Sequence, residues 1–81
     1  MGITVASLGS PSEPGLWLKT PLVKSEQAGR VSYAGTGKSV AVTLIPIDGP
    51  ATAGSRMSLS AFQTLGAPLT GLPEVEVFTA S

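Results

Sequence analysis

The stretch KSVAVTLIPIDGP (residues 38–50) decides the fold class of this chain. Its residues Val40, Val42 and Leu44 fall at every second position, which is the period of a β-strand with one buried face. β-Branched residues dominate the run, and a Gly-Pro pair ends it in a turn. The stretch therefore predicts a strand over residues 39–47 that packs on one side against a core.

Further β-strands are predicted on both sides of this one. Each is a short segment rich in β-branched or aromatic residues, and Gly, Pro or Ser separates it from the next. In the last of them, EVEVF, glutamate alternates with valine, so the valines face the core and the glutamates face solvent. These strands cover residues 3–8, 15–20, 29–33 and 74–78.

A single short helix is predicted over residues 58–65. Ser58 is a favourable N-cap, Gly66 stands where glycine ends many helices, and Pro68 prevents continuation. The apolar stripe of this helix is formed by Leu59, Phe62 and Leu65. Short strands with one short helix in a chain of this length predict an all-β fold, a small six-stranded barrel with one α-helix.

A faint internal repeat relates the two halves of the chain. A shift of 39 residues places residues 4–18 on residues 43–57 without a gap. If the repeat reflects the fold, it predicts two strand–turn–strand units related by a pseudo-twofold axis. In this alignment Asp48, the only aspartate, falls on Gly9, so that only the second unit carries a carboxylate.

Composition narrows the classes of function. The 81 residues fit one domain, in which residues 1–14 supply an N-terminal strand of the barrel and residues 15–81 the remainder. Five Lys and Arg residues balance five Asp and Glu residues, which argues against nucleic acid or an anionic membrane surface as the partner. No apolar run approaches the length of a membrane span.

The chain contains no cysteine and no histidine. Thiolate and imidazole ligands and the usual base of a nucleophilic triad are therefore missing, and no metal site or other cofactor is predicted. The segment AGTGKS (34–39) matches the end of a phosphate-binding loop, but Ser32 stands at the position of the first glycine and a strand follows. A hairpin turn is predicted there, and nucleotide binding is not.

Residues 37–66 carry a series of specific motifs. They are Gly37-Lys38-Ser39-Val40, Asp48-Gly49-Pro50, Gly54, Met57-Ser58, Ala61 and Leu65-Gly66. In these motifs the chain resembles the double-psi β-barrel domain of rare lipoprotein A-type proteins, which is related in fold to barwin and the expansins. The resemblance covers about residues 15–78 and implies a six-stranded double-psi barrel.

The sequence of residues 17–56 is also similar to that of small envelope lipoproteins of alphaproteobacteria, some of which are labelled sugar-acid (galactarate) dehydratases. The resemblance implies a periplasmic or envelope-associated location. Because the N-terminus lacks the basic region and the long apolar segment of a signal peptide, the chain is expected to be the mature domain of a longer protein. A dehydratase is the least expected activity, since it needs a metal or a pair of bases.

Rare lipoprotein A-type enzymes are lytic transglycosylases that cleave peptidoglycan, and the resemblance implies that Asp48 serves as acid/base. In the family one residue separates this aspartate from the glycine, whereas Asp48 adjoins Gly49, so Ile47 is an equally good counterpart. The family's early acidic, His-containing segment has no counterpart here. The leading expectation is therefore a non-catalytic or catalytically degenerate domain that binds peptidoglycan or an envelope protein.

Two alternatives remain open from the sequence. The first is a lytic transglycosylase that uses Asp48 as acid/base. The second is a structural or self-associating barrel, monomeric or homodimeric, that pairs through exposed strand edges.

Five residues are candidates for a binding site. Asp48 is a candidate acid or ligand, and its apolar flanks predict burial, but an aspartate before Gly-Pro is also typical of a turn. Ser55 is the last residue of the small, flexible loop PATAGS (50–55), and Arg56 adjoins this loop, where its guanidinium suits a substrate carboxylate or a surface ion pair. Trp17 and Tyr33 suit sugar stacking or packing in the core.

Overall fold

Six β-strands close into a barrel, and one helix lies between the fifth and the sixth strand. The computed structural model describes residues 2–9, 12–50, 53–68 and 71–79. The elements are β1 (Gly2–Leu8), β2 (Trp17–Thr20), β3 (Gln27–Tyr33), β4 (Lys38–Pro46), β5 (Ser55–Met57), α1 (Leu59–Leu65) and β6 (Glu74–Thr79). The predicted all-β barrel of six strands with one short helix is therefore confirmed.

The sequence located five of the six strands and missed β5. Its first residue, Ser55, was predicted to belong to a flexible loop. The burial of the three residues alternates, with Ser55 and Met57 inside and Arg56 outside. Three residues are too few to display a period of two in a sequence. The assignment of Ser55 to the loop was wrong, because it opens a strand that pairs with two others.

The order of strands around the barrel is β1-β5-β2-β4-β3-β6, closing back to β1. β1 pairs in parallel with β5, and β2 pairs in parallel with β4. The other four neighbouring pairs are antiparallel. Each of β1, β2 and β3 therefore has both of its neighbours in the second half of the chain, and each of β4, β5 and β6 has both in the first half.

This strand order has an internal twofold relation. Exchanging β1, β2 and β3 with β4, β5 and β6 reproduces both the ring order and the parallel or antiparallel sense of every pair. The predicted relation between the halves is therefore present in the topology.

The predicted offset of 39 residues fits only part of that relation. It aligns Leu18 with Met57, which are both fully buried and are cross-strand partners. It also aligns Thr4 with Thr43, but Thr4 points inward with 5% of its surface exposed and Thr43 points outward. Because inward positions alternate along a strand, β1 and β4 superpose only at an even offset. The gap-free register was therefore wrong for β1 and β4.

The helix closes one end of the barrel. The Ser58 side chain accepts a hydrogen bond from the Ala61 amide at 3.3 Å, and Gly66 ends the helix in a left-handed conformation with φ 68°. Both caps were predicted. The buried helical residues are Ala61, Phe62 and Leu65, whereas Leu59, assigned to the stripe from the sequence, is only half-buried. Helix α1 packs against β4.

The two ends of the barrel differ in what they present. β5 runs antiparallel to β2, and β2 runs parallel to β4. The C-terminal ends of β2 and β4 therefore lie at the same end of the barrel as the start of β5, here called the Asp48 end. Helix α1 follows β5 directly and so lies at the opposite end.

Candidate functional site

Asp48 lies two residues beyond the end of β4 and is exposed. The burial expected from its apolar flanks was wrong. Its carboxylate has no hydrogen bond or ion pair with any residue that the structure describes. The following turn is instead held by the backbone, where the Ala53 amide donates to the Pro50 carbonyl at 2.9 Å, and Gly49 supplies a φ of 135°. Asp48 is thus free to meet a ligand.

Asp48 stands on the rim of an open depression of about 720 Å³. One wall is formed by residues that come after β2 in the sequence, and the other by the end of β4 and the residues after it. A hydrogen bond joins the two segments, in which the Ile47 amide donates to the Thr20 carbonyl at 3.3 Å. The charged lining side chains are Lys24 and Asp48, and the others are apolar. The lining residues are Pro21, Val23, Lys24, Pro46, Ile47, Asp48 and Gly49.

Arg56 is exposed on β5 near the same end of the barrel. It lies directly opposite Lys19, one residue before the end of β2, so two cations face solvent on adjacent strands. Glu13 compensates the first of them, with both carboxylate oxygens 3.2 Å from Lys19 Nζ. Arg56 forms no ion pair within the described residues, so the local charge remains positive around it.

Trp17 is packed and does not offer an open stacking surface. Only 6% of its surface is exposed. Lys19 Nζ lies 4.9 Å from the ring centroid, and Gly9 packs so closely that a Cβ there would collide with the ring. Its indole N–H has no partner among the residues described. Its main-chain N–H donates to Ser58 Oγ at 3.2 Å, which ties β2 to the helix cap.

Ser55 is buried and holds two strands together. Its Oγ lies 2.7 Å from Thr4 Oγ1, so the two hydroxyls share a hydrogen bond across β5 and β1. Ser7 Oγ also donates to the Ser55 carbonyl at 3.2 Å. In this position the side chain of Ser55 faces the interior of the barrel and not a ligand.

Tyr33 lies far from Asp48. It ends β3 opposite Lys38, the first residue of β4, whereas Asp48 follows the last. The nine residues of β4 separate the two positions by roughly 26 Å along the strand. The half-buried ring packs against the core, and Gly35 lies against it, since a Cβ there would come within 2.6 Å of Tyr33 Cζ.

The predicted candidates therefore do not form one site. The structure places Asp48 and Arg56 at the same end of the barrel and Tyr33 toward the other end. Ser55 is buried inside the barrel, and Trp17 is buried beneath Gly9 and Lys19. It adds Lys24, which no sequence motif marks, because the segment PLVKSE has only the composition of a turn.

The depression beside Asp48 carries one carboxylate. Glu13 is bound to Lys19, and Glu26 does not line the depression. In the described part of the chain, no group of three or more acidic side chains is arranged to hold a metal ion. No helix within that part is long and apolar enough to cross a membrane.

Comparison with known proteins identifies no family for this chain. No family model matches the sequence, and no curated protein matches it. The geometry at the Asp48 end is therefore the basis for inferring a function.

Proposed function

We propose that this chain is a double-psi β-barrel domain of the bacterial cell envelope that binds peptidoglycan without cleaving it. The ring order is unchanged when the strands of the two halves are exchanged, and this exchange turns the parallel pair β1–β5 into the parallel pair β2–β4. This internal symmetry supports the double-psi topology. The motifs in residues 37–66 support the link to peptidoglycan.

The observation that carries the proposal is the exposed Asp48 carboxylate on the rim of the depression. It makes no internal hydrogen bond with the described residues, so a ligand hydroxyl or amide binds it without displacing a protein partner. Glycan hydroxyls and stem-peptide amides are donors of this kind.

The cations nearby suit the other groups of the same polymer. Lys24 lines the depression with Asp48, and Arg56 is exposed on β5 near the same end. Stem peptides carry carboxylates, which ammonium and guanidinium groups bind through charge-assisted hydrogen bonds. Pro21, Pro46 and Ile47 add apolar groups to the lining of the depression. The depression therefore offers a carboxylate acceptor and an ammonium donor to one ligand, and Arg56 lies near the same end of the barrel.

The position of Asp48 favours binding over cleavage. A glycosidic general acid must hold its proton, which burial in an apolar environment promotes, and it acts with a second group at about 5–10 Å. Asp48 is exposed, and the second charged lining residue is a lysine. An exposed carboxylate beside a cation is an acceptor and a charge partner for a ligand.

Retention on purified peptidoglycan sacculi tests the proposal. We expect the chain to be retained, and Asp48→Asn and Lys24→Gln each to lower the apparent affinity about tenfold, the value of one charge-assisted hydrogen bond. Glu26→Gln is the matched control, because it neutralises an exposed carboxylate that does not line the depression. A wild-type chain that is not retained contradicts the proposal.

Catalysis is measured separately on denuded glycan strands. The proposal predicts that the wild-type chain releases no anhydro-sugar product. If the wild-type chain releases this product and Asp48→Asn abolishes the release, the chain is a lytic transglycosylase and not only a binding domain.

A further inference from the structure

Of the five large hydrophobic side chains that are exposed in the described part of the chain, three lie on one face of the barrel. Ile3 and Val5 point outward from β1, with 64% and 38% of their surfaces exposed. Phe78 points outward from the neighbouring strand β6 with 38% exposed, and Leu72 precedes that strand with 68% exposed. The fifth such residue, Leu16, lies elsewhere, before β2.

The same face carries charges of both signs. On β3, Arg30 lies between Phe78 of β6 and Ala41 of β4. On β6, Glu76 lies between Ile3 of β1 and Ser32 of β3. Neither charge has an ion pair in the described parts of the chain. We call the outward surface formed by Ile3, Val5, Arg30, Ser32, Glu74, Glu76 and Phe78 the β1–β6–β3 face.

A depression of about 600 Å³ adjoins Arg30 on the side away from Ile3. Small side chains leave it open, since Ala28 and Ala41 flank Arg30 where larger residues would fill the space. Phe78 forms another part of the wall. The lining residues are Ala28, Gly29, Arg30, Ala41, Phe78 and Thr79.

We propose that the β1–β6–β3 face is the interface of a symmetric homodimer. In a twofold dimer each contact occurs twice, so the face must complement itself. Arg30 and Glu76 are diagonal neighbours on adjacent strands, about 7–8 Å apart at the backbone. A twofold axis between them places Arg30 opposite Glu76 of the partner subunit, and Glu76 opposite Arg30 of the partner subunit.

The same axis brings the apolar groups together. Ile3 adjoins Glu76, and the depression adjoins Arg30, so pairing these two charges carries Ile3 toward the depression of the second copy. Phe78, which neighbours both charged residues, lies near the axis and meets its own copy. A single twofold rotation thus pairs Arg30 with Glu76, covers Ile3 and fills the depression beside Arg30. A second copy of this chain is therefore the occupant that this face fits.

Charge reversal tests this geometry directly. Sedimentation of the wild-type chain over a range of concentrations is expected to show a monomer–dimer equilibrium. Arg30→Glu and Glu76→Arg each place like charges opposite one another twice, so each variant is expected to dimerise at least about tenfold more weakly. Mixing the two variants in equal amounts is expected to restore dimers, because both contacts in the mixed pair are again between opposite charges.

The hydrophobic contact is tested with a matched pair of variants. Ile3→Thr keeps a β-branched side chain in β1 but removes apolar surface from the face, and it is expected to weaken dimerisation at least about fivefold. Leu16→Thr removes an exposed hydrophobic side chain away from the face and is expected to leave dimerisation unchanged. Thermal unfolding of every variant separates loss of the dimer from loss of the fold.

Three results would overturn the homodimer. One is a wild-type chain that remains monomeric up to about 1 mM, where an interface of useful strength is populated. Another is a dimer that both charge reversals leave unchanged. The last is a mixture of Arg30→Glu and Glu76→Arg that dimerises no better than either variant alone. Because these measurements contain no peptidoglycan, they stand apart from the test of Asp48.

Discussion

At Gly29, in the middle of β3, the packing leaves no room for a side chain. A Cβ there would collide with Leu44 Cδ1 and lie 2.6 Å from the Phe78 carbonyl oxygen. The carbonyl belongs to the strand paired with β3, so it cannot move aside without disturbing that pairing. The absence of a side chain lets the fully buried Leu44 side chain of β4 and the backbone of β6 both lie against Gly29.

Gly29→Ala is therefore expected to lower the free energy of unfolding by about 1–3 kcal/mol, the usual cost of overpacking a core. Chemical denaturation measures the change. Gly2→Ala is the control, because a Cβ at that strand position meets only Leu22 methyl groups at 3.8 Å. Equal stability of the two variants would contradict this account of the close approach.

For single residues, the sequence predicted which side chains of a strand face the core better than it predicted which side chains are available to a ligand. Glu74, Glu76, Val75 and Val77 face outward and inward as their alternation predicts. Burial of Trp17 was one of the two environments expected from the sequence and is observed, whereas Asp48, whose apolar flanks predicted burial, is exposed. The burial of the indole depends on the folded structure, because Gly9, which follows β1, and Lys19 lie against the ring. Asp48 is exposed two residues beyond the end of β4.

Among the elements, helix α1 depends most on one side chain. Ser58 Oγ accepts hydrogen bonds from the Ala61 amide at 3.3 Å and from the Trp17 amide at 3.2 Å. The first caps the helix, and the second ties the cap to β2. Ser58 is itself buried, so loss of its hydroxyl leaves two amides without this acceptor in the barrel interior.

Ser58→Ala is expected to lower the free energy of unfolding by about 1–2 kcal/mol, the upper range for loss of an N-cap. Ser60→Ala is the matched control, since Ser60 is exposed in the first turn and alanine favours a helix there. The two variants are compared by thermal and urea denaturation. If Ser60→Ala lowers the free energy of unfolding as much as Ser58→Ala does, the hydrogen bonds of the Ser58 cap do not account for the loss of stability.

The strength of local signals decided which elements the sequence predicted. Strand β4 and helix α1 carry their own periodicity and caps, and both were located to within one residue at each end. Strand β5 carries neither, and the side chains of Ser55 and Met57 are drawn inward by pairing with β1 and β2. Its position is fixed by tertiary contacts, which no local pattern records.

For the whole molecule, the alternation of halves around the ring is the governing feature. Strands of the first half are neighbours only of strands of the second half. Neither half therefore contains a strand pair of its own, and the core is shared between them. Closure also gives every strand two neighbours, so the edge-to-edge self-association considered from the sequence has no complete free strand to use.

Splitting the chain tests this interdependence. Fragments cut between Gly35 and Thr36, in the turn that joins β3 to β4, are each expected to be unfolded alone and to fold when mixed. Circular dichroism and dispersion of amide resonances follow the change. Val31→Asp in the first fragment is the control that should prevent reassembly, because Val31 is fully buried. Cooperative folding of either fragment alone would contradict this interdependence.

The alternating ring also constrains how the chain emerges from the ribosome. Strands β1, β2 and β3 are synthesised first, yet none of them finds a sheet partner until β4 leaves the exit tunnel. The last strand, β6, completes the ring between β1 and β3, so translation of Glu74–Thr79 must finish before the barrel closes. Nascent chains stalled before that point would expose the interior faces of both strands to chaperones and proteases.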